Sequence, residues 1–218
     1  MNLTLVTRLL FLLLIATSAS YAQSDLVQNE NSVDSLNITS KEKAVILTVG
    51  FYKPFTTENS FIGQGTTGQA GFDLGMQVFL YKNFFIGGFG GYFFLDVTDA
   101  DLVGDYSRSR VFSASLEVGY ELPIHKNIDL GLSIALLGYA SYRNFISEGR
   151  TRQQRDGASS RLYRAYLSYQ FAKHFAFFVN YAFRNDNSSI ETAPEIQDNF
   201  NKIQYHNVGF GLKFTLFK

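Results

Sequence analysis

The sequence holds no cysteine and no tryptophan in its 218 residues. Without thiols there is no disulfide framework, no thiolate metal site and no thiol nucleophile. An excess of either charge is missing too. Nineteen Lys and Arg face nineteen Asp and Glu, for a formal net charge of +0. That argues against a nucleic-acid binder, which needs a basic excess to neutralise phosphates. The three histidines, His125, His174 and His206, are scattered along the chain with no metal-ligand spacing, and they read as solvated. Proline is scarce, and Pro54, Pro123 and Pro194 are assigned to connectors. The longest apolar run, Leu9 to Ala16, is less than half the ~20 residues that a membrane-spanning helix needs. Convincing amphipathic helices are absent as well. Any membrane insertion must therefore be through strands.

What the chain does have is aromatic bulk and glycine, with 22 Phe, 13 Tyr and 18 Gly. Residues 1–22 carry one basic residue, Arg8, then the apolar run, then small residues ending in Ser20-Tyr21-Ala22. This layout predicts a secretory signal peptide cut near Ala22/Gln23. Residues 23–43 are polar without helical or strand period, and too poor in apolar surface to offset ordering entropy. They predict a flexible periplasmic linker, which leaves 44–218 as the folded domain.

From Ala44 onward the sequence divides into eight runs with period-two alternation: 44–53, 68–81, 85–97, 109–122, 128–143, 160–171, 175–185 and 202–217. The pattern predicts an all-β domain. Connectors alternate in length. Those at 82–84, 123–127 and 172–174 are short; those at 54–67, 98–108, 144–159 and 186–201 are long. An antiparallel up-and-down meander gathers the short connectors at one end and the long ones at the other, the asymmetry of a transmembrane β-barrel with short periplasmic turns and longer outside loops.

Parity within the runs separates a bulky face from a small, polar one. Phe72, Leu74, Met76 and Val78 oppose Gly71, Asp73, Gly75 and Gln77; Val208, Phe210, Leu212 and Phe214 oppose Gly209, Gly211 and Lys213. A soluble lipocalin-like barrel, which would hold an apolar ligand inside, usually covers its exterior with long charged side chains. A narrow membrane barrel instead keeps small and polar groups inside and an unbroken apolar band outside. The bulky face is therefore read as facing lipid. Applied to the third run, the same rule puts Phe85, Phe89, Phe93, Leu95 and Val97 outward and Gly88, Gly90, Tyr92, Phe94 and Asp96 inward. Tyr120, Tyr169, Phe171 and Phe175 near the short turns, with Tyr142 and Tyr163 near the loops, suit interfacial girdles.

Together these features resemble the small eight-stranded outer-membrane barrels of the OmpX/OmpA type, in particular the Bacteroidetes-type outer membrane protein β-barrel domain. The resemblance covers about 44–218, and its most specific element is the last run, Asn207-Val208-Gly209-Phe210-Gly211-Leu212-Lys213-Phe214. It implies residence in the bacterial outer membrane and recognition by the barrel-assembly machinery, with Asn207, Gly209, Leu212 and Phe214 as the assembly signal. The chain departs from that pattern in ending Phe217-Lys218 rather than on an aromatic residue.

No motif carries chemistry. The resemblance also raises a lipid A-modifying enzyme, but lipid A deacylases place His and Ser two apart on one strand face, whereas His206 is followed by Asn207 and Val208. No cofactor is implied. The lumen-phase charges Asp73, Asp96, Glu117, Glu121, Asp129, Arg143, Arg164, Arg184 and Lys213 have acids mostly early and bases mostly late in the chain. Closing the barrel would pair them across a narrow interior as a plug, because unpaired charges there are costly. The open alternative is a narrow channel. Outside the lumen, Arg150, Arg152 and Arg155 are placed in a loop from which arginine could bind lipopolysaccharide phosphates. The expectation is a non-catalytic structural or surface-interaction barrel, or an accessory of a secretion or assembly system.

Overall fold

The computed structural model describes residues 45–58, 60–104, 106–146, 153–188 and 200–217. The expected signal peptide, 1–22, and linker, 23–43, lie outside the described residues, as do Arg150, Arg152 and Pro194.

Eight long strands follow one another as β1 (Val45–Thr56), β3 (Gly71–Tyr81), β4 (Phe84–Val97), β5 (Tyr106–His125), β6 (Ile128–Ile146), β7 (Gln153–Ala172), β8 (Phe175–Ser188) and β9 (Lys202–Phe217). A three-residue strand, β2 (Thr66–Gly68), lies along the end of β4. Each long strand pairs antiparallel with the next, and β1 pairs with β9, so the sheet closes on itself. Closure removes both exposed edges, and every long strand finds two neighbours. Tight turns at Lys82-Asn83, Lys126-Asn127 and Lys173-His174 mark one end. The first is entered through Lys82 at φ 50°.

At the other end the first long connector folds into a one-turn helix, α1 (Phe61–Gly65), and the second into α2 (Ala100–Val103). Both have side-chain N-caps: the Ser60 hydroxyl accepts from the Gly63 amide at 3.2 Å, and Asp99 accepts from the Asp101 and Leu102 amides at 3.1 and 3.3 Å. The chain leaves α2 through Gly104 at φ 104°, a backbone conformation that favours glycine.

Strands run past the expected boundaries at this end. The β6–β7 hairpin continues to Ile146 and resumes at Gln153, so Arg155 is a strand residue and not a loop residue. Pro54 and Pro123 likewise fall within β1 and β5. Each sits past the last pair with one neighbour, Tyr52↔Gly71 for β1 and Phe84↔Tyr120 for β5, where a missing N–H costs no ladder bond on that side.

The outside is apolar and the inside is charged, the inverse of a soluble domain. Phe51, Leu74, Leu136 and Phe210 are exposed on the outer face, Leu136 at 59%, while Glu117 and Asp186 are at 0%. Facing in β3, β5, β7, β8 and β9 follows the parity read from the sequence. Two places do not. In β4 the odd residues Phe85, Phe89, Phe93 and Leu95 point into the lumen, and Phe84, Ile86, Gly88, Gly90, Tyr92, Phe94 and Asp96 point out. This strand is apolar on both faces and carries glycine on both, so size alone cannot orient it. The rings fit inside because glycines on neighbouring strands make room: a Cβ on Gly75 would lie 2.3 Å from the Phe89 ring.

The second place is β6. Glu117 pairs with Ala135 but Leu116 pairs with Leu137, so Leu136 is an extra residue, a β-bulge. The bulge reverses parity for the rest of the strand. Tyr142 therefore turns inward, away from any interfacial girdle, and Arg143 turns outward, away from the lumen.

Candidate functional site

Two places concentrate charge: the lumen and the outer rim at the long-connector end. Nearest the short turns, Lys213 on β9 reaches Glu121 on β5 in an ion pair. The Tyr166 hydroxyl on β7 donates to Glu121 at 3.0 Å and accepts from Gln77 on β3 at 3.2 Å. The Lys213 ammonium lies 3.7 Å from the centre of the Tyr166 ring. That ring lies flat against the backbone of Gly131, where a Cβ would come within 1.9 Å. Asp129 and Ser168 line the small cavity beside this group.

One turn of the barrel higher, Arg164 on β7 donates to Asp73 on β3 at 3.1 Å and to Glu117 on β5 at 3.2 and 3.3 Å. Glu117 also accepts from Ser115 at 2.8 Å and Ser133 at 2.6 Å. The Arg164 guanidinium stacks 4.5 Å over Phe89, the ring whose facing parity had misplaced. Both carboxylates thus share one cation, and hydroxyls take the remaining lone pairs of Glu117, which is what a buried charge cluster requires.

The third group lies toward the long connectors. Arg184 and Asp186, two apart on β8, form a two-point contact at 2.8 and 2.5 Å. Tyr142 donates to Asp186 at 2.5 Å and meets the Tyr205 hydroxyl at 3.0 Å. Phe93 and Tyr205 flank the guanidinium at 5.6 and 5.3 Å. Above it Leu95, Val111 and Ile203 form an apolar layer with Phe61 and Ile62 of α1 and Val103 of α2, and Phe61 stacks on Phe200 at 4.3 Å. Between the Arg164 and Arg184 groups the lumen leaves a cavity of about 30 Å³ lined by Ser113, Ser160, Asn180 and Asn207. That is room for roughly two water molecules.

Of the nine charges expected inside, Asp73, Glu117, Glu121, Asp129, Arg164, Arg184 and Lys213 face the lumen. Asp96 and Arg143 do not. Asp96 lies on the outer face in an ion pair with Arg108 at 2.7 Å, because β4 is oriented opposite to its expected sense. Arg143 stands on the outer face beyond the β6 bulge, directly between Arg110 on β5 and Arg155 on β7. From the sequence, Asp186, Tyr166 and Tyr205 are not read as lumen residues, Gln77 is put on the small, polar face without a role, and Tyr142 is read as an interfacial ring. Asp186 was reachable there, since Arg184-Asn185-Asp186 continues the β8 alternation by two residues.

On the last strand Asn207 and Gly209 face inward, and Leu212 and Phe214 face outward. His206 also points outward, and its Nδ1 lies 2.6 Å from the Tyr181 hydroxyl. His125 and His174 lie exposed by the short turns. Among the described residues no three His, Asp or Glu side chains are grouped to hold a metal ion.

No family model matches the sequence, and no curated protein matches it either. Similarity appears at the level of structure. Neisserial surface protein A superposes with a TM-score of 0.60 and 7% identity, covering 79% of this chain and 97% of that one. A major outer membrane protein from Thermus thermophilus gives 0.50 and 10%, over 78% and 98% of the two chains. Identities this low speak to architecture alone: the chain has the eight-stranded, antiparallel, up-and-down transmembrane β-barrel fold of outer-membrane proteins.

Proposed function

We infer that this is an exported, non-catalytic outer-membrane barrel with a structural or surface-interaction role, its lumen closed to free diffusion of solutes. In this reading the signal peptide is removed near Ala22/Gln23, and the barrel-assembly machinery reads Asn207, Gly209, Leu212 and Phe214 in β9. The observation that carries it is the stack of three ion-paired groups across the lumen beneath an apolar cover. Arg164 with Asp73 and Glu117, Lys213 with Glu121, and Arg184 with Asp186 occupy successive levels. A narrow eight-stranded barrel has an interior that side chains can fill, and these side chains fill it. Its outer surface, apolar throughout the mid-section, favours lipid outside over an apolar ligand inside.

Planar-bilayer recording tests the closed lumen. The purified barrel should give no steady conductance. A large, persistent unitary current from the unmodified chain would overturn the closed-lumen reading in favour of a narrow channel.

A further inference from the structure

The outer face of the rim holds an arrangement that the lumen does not explain. Arg110, Arg143 and Arg155 stand side by side on three adjacent strands, paired directly as Arg110↔Arg143 and Arg143↔Arg155. Directly opposed residues have Cα atoms only ~5 Å apart, and like charges so placed are destabilising. A barrel that keeps three arginines in register gains nothing from the repulsion unless an anion offsets it.

Among the described residues, the neighbours hold these side chains without neutralising them. The Arg110 guanidinium lies 4.3 Å from the centre of the Phe145 ring and 5.9 Å from Phe94. Arg155 donates through Nε to Ser141 at 3.0 Å. Asp96, on the outer face of β4, is engaged by Arg108. Asp156, next to Arg155 in sequence, accepts from the inward Asn144 at 3.2 Å. All three arginines are exposed.

Height selects the ligand. Two residues below Arg110 on β5 is Phe112, paired with Tyr92 on β4, and Tyr139 lies two residues lower still on β6, opposite Ala114. These outward rings mark the upper aromatic girdle, where hydrocarbon gives way to headgroups. A strand climbs ~3.3 Å per residue, reduced by its tilt, so the guanidinium row begins ~5 Å above that girdle. Lipid phosphates lie in this layer, and arginine matches phosphate through paired N–H donors.

We propose that Arg110, Arg143 and Arg155 form a binding site for the phosphates of a phosphorylated glycolipid in the outer leaflet, with the acyl chains lying against the apolar face of β5–β7 below. This rests on the barrel reading above and names the ligand of its surface. It also moves the site from the loop arginines of the sequence reading to a strand-borne row.

The test compares lipid retention by the purified full chain in phosphatidylcholine nanodiscs doped with lipid A or with dephosphorylated lipid A, counted by native mass spectrometry after extraction. The wild type should retain lipid A and not the dephosphorylated form, and inorganic phosphate should compete only weakly. R110Q/R143Q/R155Q together should reduce retention about tenfold, the loss of roughly one modest charge contact per arginine. Arg143→Gln alone should give a smaller loss in the same direction, and Lys202→Gln, on β9 two strands from Arg155, none. Equal retention of both lipids, unchanged retention in the triple variant, or arginine-dependent capture of heparin with no preference for lipid A would each overturn the proposal. Gel mobility before and after boiling, on the same samples, reports separately whether the barrel itself has formed.

Discussion

The lower and upper halves of the lumen both bury ion pairs, but they do so over very different reaches of chain. Arg164 joins β7 to β3 and β5, spanning 91 residues to Asp73 and 47 to Glu117; Lys213 joins β9 to β5 over 92 residues to Glu121. Arg184 and Asp186 are two residues apart on one strand. The lower pairs connect opposite walls and can form only when the barrel closes. The upper pair can form in an isolated strand and is then surrounded by rings from other walls. Cross-lumen bonds therefore specify closure, whereas the upper pair fills space and is satisfied locally.

This contrast is open to a direct challenge. Arg164→Met removes the only cation bonded to Glu117 among the described residues and leaves two carboxylates facing each other in a closed space. The expected cost is about 3–5 kcal/mol, the usual penalty for orphaning a buried ion-pair partner. Arg184→Met should cost less, about 2–3 kcal/mol, because Tyr142 still donates to Asp186. Urea titration in lipid vesicles, followed by the boiling-sensitive gel shift, measures both. If the two variants lose equal stability, the distinction between bracing and filling fails. Adding Asp73→Asn and Glu117→Gln to Arg164→Met should recover part of the loss, since the orphaned charges go too.

A second comparison sets the outside against the inside. Leu116 faces outward from the middle of β5 with 40% exposure, halfway between the rings of Phe112 and Tyr120 and opposite Gly88 and Leu137 on neighbouring strands. Leu116→Arg should cost about 2–4 kcal/mol in vesicles, as for an arginine at the bilayer midplane. Repeating the substitution at Tyr139, nearer the headgroups, should cost much less. A neutral result at Leu116 would place that face in water.

How far the sequence reached follows from where its alternation was two-sided. In β5, β8 and β9 one parity is bulky and the other small or polar, so facing was legible, and with it Glu117, Glu121, Arg184 and Lys213. In β4 the double glycines Gly87-Gly88 and Gly90-Gly91 put a small residue on each face, and bulk stopped being informative. The orienting facts, Gly75 and the Arg164 guanidinium around Phe89, come from other strands. In β6 nothing local marks Leu136 as an extra residue, since Leu136-Leu137 is apolar whichever side it faces. That one unread bulge cost both Tyr142 and Arg143, and with Arg143 the rim row, which becomes visible only when three strands are laid in register.

The smallest effect probes the upper group from within. Tyr205 contributes its ring beside Arg184 and one hydroxyl contact, to Tyr142 at 3.0 Å. Tyr205→Phe keeps the ring and removes the contact. Tyr142 still donates to Asp186, so no charged atom is orphaned, and the loss should be about 1 kcal/mol. The same vesicle titration resolves a change of that size if wild type and variant are run side by side. A loss as large as that of Arg184→Met would mean that the two hydroxyls and the ion pair act as one coupled unit, and the upper lumen would then be as indispensable to the closed barrel as the braces below it.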